Sequence, residues 1–138
     1  GYSSSQIEAK KALDELNAWR REKGLSEVKL DTTLSKSAGY TMKSHGSYAG
    51  MLQASLVDRL LGDAATAMNL YDYPNMLTLF YGGNVGCCWS GYASGTAGMK
   101  VILSKGTYNV NHKNTLSSCK KVGIYVDKQL GIFVITSK

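Results

Sequence analysis

Two histidines, three cysteines and nine tyrosines are the candidate reactive side chains of this 138-residue chain. His45 follows Ser44 and precedes Gly50 by five positions, and His112 opens the run His112-Lys113-Asn114-Thr115-Leu116. Two imidazoles brought together make a metal-binding pair. Zinc sites take three or four protein ligands, so the pair alone holds zinc weakly. A carboxylate would strengthen it, yet no Asp or Glu occurs between Asp72 and Asp127. When protonated, the same pair suits an anionic ligand. The plainer reading is two histidines satisfied by local hydrogen bonds.

The cysteines offer a second chemistry. Cys87 and Cys88 are adjacent, and on a strand their side chains point to opposite faces, so only one of them reaches Cys119 without distortion. Two readings stand side by side. One is a single bridge from Cys119 to Cys87 or Cys88 in an exported protein, worth ~3–4 kcal/mol for a loop of about 30 residues. The other is three buried thiols, since free cysteine is among the most buried residue types. A nucleophilic Cys87 or Cys88 with His112 as base would be the arrangement of a cysteine hydrolase, but neither thiol sits at a helix N-terminus that would lower its pKa. No serine lies in Gly-x-Ser-x-Gly, so a serine triad has no support.

The elements that must position these residues follow from periodicity and punctuation. Ser5-Gln6-Ile7-Glu8 has the form of a capping box, and Ile7, Ala9, Ala12, Leu13, Leu16 and Trp19 recur at helical spacing up to a terminating Gly24. Asp31 predicts the N-cap of a second helix. That helix buries Leu34, Ala38 and Met42, and His45 lies on the inward edge of the same face near its end. Residues 51–69 continue the helical pattern through Leu52, Leu56, Leu60, Ala64 and Met68, with an interruption expected at Gly62-Asp63. Pro74, the only proline, marks a turn. Beyond it, Tyr81-Gly82-Gly83-Asn84 and residues 90–95 are glycine-rich and loop-like, bracketing a β-prone run at 85–89. Residues 96–105 predict a short helix with Met99, Ile102 and Leu103 inward. Residues 121–125 and 131–136 predict a hairpin across Asp127-Lys128-Gln129-Leu130. Helices first and strands last make the class α+β, and the length suits one domain over 1–138.

Charge and hydropathy exclude some functions. The net charge of +6 divides as +1, −1 and +6 over residues 1–30, 31–75 and 76–138. The basic third contains lysines but no arginine, and they are spaced as on solvated strand edges, where lysine opposes aggregation. This argues against nucleic acid as a partner and leaves loose attraction to an anionic cell surface. No run reaches the roughly 20 apolar residues of a membrane span. The chain opens on Gly1 without an initiator methionine, so the lack of an export signal carries no weight.

Taken in order, five signatures resemble one family. They are Asn17-Ala18-Trp19-Arg20-Arg21-Glu22-Lys23-Gly24-Leu25, Ser44-His45 with Gly50, Gly82-Gly83-Asn84, the His112 run, and Val122-Gly123-Ile124-Tyr125-Val126. Together they resemble the bacterial branch of the CAP superfamily, the domains named after cysteine-rich secretory proteins, antigen 5 and pathogenesis-related 1 proteins. The resemblance implies a secreted or cell-surface location and an α-β-α sandwich with a small antiparallel sheet between helical layers. It also implies a central cleft where His45 and His112 would meet and hold a divalent cation such as zinc. The chain departs from the family pattern where Gly83 replaces the glutamate of Gly-Glu-Asn, and at the second histidine, where the preceding glycine is lost and Asn114 comes one place early. The cleft residues implied are Ser44, Tyr48, Tyr81, Gly83, Asn84 and Asn114. Tyr40, Tyr71, Tyr73, Tyr92 and Tyr108 fall near the loops that would rim it, giving contact area with a polar tip or ordinary packing. The function expected is a non-enzymatic binding module for an unidentified peptide, glycan, lipid or cell-surface component, with at most weak zinc. The alternative is a divalent-metal-dependent hydrolase with an altered histidine site.

Overall fold

The computed structural model describes residues 4–82, 95–104, 110–127 and 129–138, with the backbone alone at 4, 82 and 110–112. Helix α1, Ser4–Glu22, buries Ala9, Ala12, Leu13 and Leu16. Ile7, predicted on the same stripe, is instead exposed. Because Ser5 lies inside α1, Glu8 does not form the predicted capping box with it. Its carboxylate accepts the Gly95 N–H at 2.8 Å and pairs with Lys11 at 3.2 Å, so it joins α1 to helix α5, Gly95–Ser104. At the other end Gly24 takes φ +75°, the Leu25 N–H donates to Arg20 O at 2.9 Å and the Gly24 N–H to Arg21 O at 3.0 Å. These two bonds form a Schellman cap.

The first signature is structural. Asn17 holds both backbone groups of Val28, at 2.9 and 3.0 Å. Arg20 is buried and donates to the carbonyls of Ser26, Leu116 and Ser117, spending its fixed fork of N–H groups on oxygens left over by a loop and a helix end. The helix it reaches is α6, Val110–Ser118, an element that the sequence pattern did not predict.

Strands β1 (Lys29–Leu30), β2 (Leu77–Gly82), β3 (Lys121–Asp127) and β4 (Gly131–Ser137) form one sheet in the order β1-β3-β4-β2. The predicted hairpin is present, with Lys121 opposite Ser137 and Asp127 opposite Gly131. Asp127 Oδ1 accepts the N–H groups of Gln129 and Leu130 in its turn. The three longer strands are antiparallel, and the two-residue β1 adds a parallel edge that makes the sheet mixed. Strand β2 takes in Tyr81 and Gly82, whose glycine-rich context predicts loop. Leu77 to Gly82 pair in unbroken register with Thr136 to Gly131, and this cross-strand pairing overrides the local signal.

Strand alternation divides the interior in two. Val122, Ile124, Val126, Ile132, Val134 and Leu79 face the core formed with α1, α5 and α6. Phe133, Ile135, Phe80 and Tyr125 face helices α2, Thr32–His45, α3, Tyr48–Leu56, and α4, Arg59–Met68. The result is the expected α-β-α sandwich, class α+β. Helix α2 starts at the predicted Asp31 cap, whose carboxylate accepts the Leu34 N–H at 2.8 Å, and it buries Leu34, Ala38 and Met42 as expected. The break in the 51–69 helix falls at Val57-Asp58, with Asp58 at φ +55°, while Gly62 and Asp63 lie inside α4. Leu52 and Leu56, predicted inward, are exposed, and Met51 and Ala54 take the buried places. No helix among the described residues is long and apolar enough to cross a membrane.

Candidate functional site

Helix α2 carries His45, and close backbone packing fixes where it lies. A Cβ on Gly123 would meet the Leu34 carbonyl carbon at 2.3 Å, so α2 sits directly on β3. The Ile124 N–H donates to Ser35 Oγ at 3.1 Å, and a Cβ on Gly39 would meet the Tyr125 ring at 2.9 Å. Two glycines fix the end of α2. Gly46 takes φ +71° as its C-cap, and a Cβ on Gly50 would lie 2.8 Å from His45 O. The spacing from His45 to Gly50 therefore describes a tight corner between α2 and α3, closed by Ser47 Oγ accepting the Gly50 N–H at 3.0 Å.

At that corner His45 Nε2 lies 2.9 Å from Asp63 Oδ2, and Arg59 Nε lies 3.4 Å from the same oxygen. Asp63 is an acid that sequence reasoning missed, because the family pattern places the acid at position 83 and because Gly62-Asp63 has the composition of a helix break. Two signals for it were present. Arg59 and Asp63 are four apart, as helical ion pairs are, and Ser37, Thr41 and His45 are successive positions four apart on one row of α2. Ser37 Oγ donates to Ala64 O on α4 at 2.6 Å, and His45 meets Asp63 on the same helix. Between them Thr41 is buried, and its Oγ1 has no hydrogen-bond partner among the described residues.

These residues line a cleft of about 580 Å³ between α2 and α4, bounded by Tyr40, Thr41, Ser44, His45, Arg59, Asp63, Thr66 and Ala67. Ser44 Oγ donates to Thr41 O at 2.8 Å. Of the other residues expected at a cleft, Tyr48 begins α3 and packs its ring 6.3 Å from Phe80. Tyr81 packs into the core on the opposite face of the sheet. Asn114 is exposed on α6, where its carbonyl accepts Ser118 Oγ at 2.9 Å. His112 lies on α6, whose Leu116 belongs to the core with α1 and α5, so the two histidines are carried by helices of opposite layers. The His112 side chain, Gly83, Asn84, Cys87 and Cys88 lie outside the described residues. Cys119 is buried, and its Sγ lies 3.7 Å from Leu116 O. Among the described residues no three His, Cys, Asp or Glu side chains converge as a metal site.

The arrangement of layers is shared with a solved protein. Over the whole of this chain the fold is similar to the crystal structure of a cysteine-rich secretory protein from Staphylococcus aureus, with a TM-score of 0.67 and 13% identity. The fold is CAP-like. This chain spans 40% of the length of that protein. No protein-family model matches the sequence, and no curated protein matches it. The likeness is therefore one of architecture.

Proposed function

We propose that this chain is a non-enzymatic binding module of CAP-like fold, exported or displayed at a cell surface, and that it binds its ligand in the α2–α4 cleft beside His45. The observation that carries this reading is the state of Asp63. Its carboxylate is already shared by His45 and Arg59, an arrangement that fixes side chains around a recess of ligand size and spends the acid on holding them.

A second reading keeps a weak zinc site. His45 Nε2 and Asp63 Oδ2 are 2.9 Å apart and are both donor types that zinc accepts, and His112 would have to supply a third. Two measurements distinguish the readings. A fragment screen followed by amide NMR is expected to shift residues of α2 and α4, with the shifts abolished in Ala67→Trp, which fills the cleft. Shifts confined to other surfaces would overturn the module reading. Calorimetric titration with zinc is expected to give no tight binding, whereas micromolar binding lost in both His45→Ala and His112→Ala would establish the metal site.

A further inference from the structure

The lining of the cleft states what kind of molecule it suits. Only Ala67 among its eight residues lacks a polar side-chain atom, so an acyl chain or sterol bound here would leave those polar groups without partners. A simple ion is also poorly matched. Arg59 and Asp63 neutralise one another, and the Asp63 oxygen that would hold a cation already faces His45 and Arg59. What remains is a wall that carries both donors and acceptors. Ser44 and Thr66 offer hydroxyls, Asp63 accepts, Arg59 donates with its remaining N–H groups, and Thr41 carries a buried hydroxyl beneath the wall.

Two features call for a ligand with its own hydroxyls. Thr41, on the row between the Ser37–Ala64 and His45–Asp63 bonds, has a buried Oγ1 that is unpaired among the described residues. Leaving such a group unpaired is costly, and a native structure that retains one needs a reason for it. Tyr40 lines the same cleft and is 61% exposed, a rigid aromatic surface left in water beside hydrogen-bonding groups. A pyranose presents both complements: hydroxyls that donate and accept around its edge, and a C–H face that packs on an aromatic ring. Building on the reading of this cleft as the binding site, we propose that its ligand is a neutral sugar of one or two rings, held by Ser44, Asp63 and the Thr41 hydroxyl and packed on Tyr40.

The experiment is amide NMR titration of the full chain with three neutral disaccharides, cellobiose, maltose and diacetylchitobiose, up to about 50 mM, the range in which single-site sugar binding near 1 mM saturates. At least one is expected to give saturable shifts at residues 40–45 and 59–67. Tyr40→Ala is expected to weaken binding about tenfold. Thr41→Val preserves shape and removes the unpaired hydroxyl, so it is expected to weaken binding about fivefold while leaving the protein at least as stable as the parent. That opposition separates a ligand contact from a structural role. Unchanged affinity in Thr41→Val, or no shift in the cleft with any of the three sugars, overturns the sugar assignment. If fragments still bind there and Ala67→Trp still blocks them, only the sugar assignment falls. If neither fragments nor sugars shift α2 and α4, the binding-site reading falls with it.

Discussion

Arg20 and Cys119 show how single side chains hold one end of this fold. Arg20 bonds the carbonyls of Leu116 and Ser117 just before Cys119, and the Cys119 thiol lies in the same core. Burial pushes this thiol above its usual pKa, and the nearby guanidinium offsets only part of the rise. The folded state therefore holds the thiol proton more tightly than the unfolded chain does. Its contribution to stability is complete below the ordinary thiol pKa of about 8.5 and is lost as pH rises from there through the folded value. Urea unfolding of reduced protein is expected to show lower stability at about pH 9.5 than at about pH 7.5. Cys119→Ala should reduce that difference, and an equal difference in the variant would place the titrating group elsewhere. The thiol itself is expected to resist alkylation until the protein unfolds, because thiolate is the reactive form. The bridges considered for it run to Cys87 and Cys88. Mass spectrometry of unreduced protein alkylated in denaturant tests them, since one alkylated thiol per chain is the mark of a bridge.

At the scale of elements, two glycines are needed for different reasons. A Cβ on Gly24 would have no atom within 4 Å, but the φ of +75° there is left-handed, so Gly24→Ala is expected to cost about 1 kcal/mol through backbone strain alone. Gly123 has extended strand neighbours and no space, because the α2 backbone at Leu34 fills the place of its side chain. Gly123→Ala must push α2 off β3, and a cost of about 3 kcal/mol is expected from overpacking. Denaturant midpoints check both values. Amide shifts provide a second test: Gly24→Ala should leave the α2–α4 cleft unchanged, whereas Gly123→Ala should shift the resonances around His45. A Gly123→Ala protein of parental stability would mean that α2 does not rest on β3 as described.

Across the whole molecule, β3 and β4 couple the two helical layers. Phe133 and Ile135 point into the core of α2, α3 and α4, and Ile132 and Val134 into the core of α1, α5 and α6. Neither layer can lose its half of the sheet without exposing the other. Phe133→Ala, which empties a fully buried site, is expected to cost about 4 kcal/mol. Far-UV circular dichroism and tryptophan fluorescence should report the same lowered transition, even though Trp19 packs in the opposite layer. Separate transitions for the two signals would show that the layers unfold independently.

Local patterns made α1, α2, α5 and the terminal hairpin legible in the sequence. A cap such as Asp31, a terminator such as Gly24 and the alternation of 131–136 are satisfied by neighbours in the chain, and helices followed by strands suffice for α+β. Leu52 and Leu56 show the limit of that reasoning: the apolar count was right, but the break at Asp58 turned their face to solvent and gave the core Met51 and Ala54. The site depended more strongly on packing. His45 was visible from its motif. Its acid, Asp63, is eighteen residues away on a helix joined to α2 by the Ser37–Ala64 bond, while Gly123 and Gly39 let α2 itself settle on β3. Strand parity places Tyr81 on the opposite face of the sheet from Phe80. Residue types and spacing determine which helix face is apolar, but which polar side chains meet across two helices is decided by how the helices cross, and that crossing is settled only when both pack on the sheet.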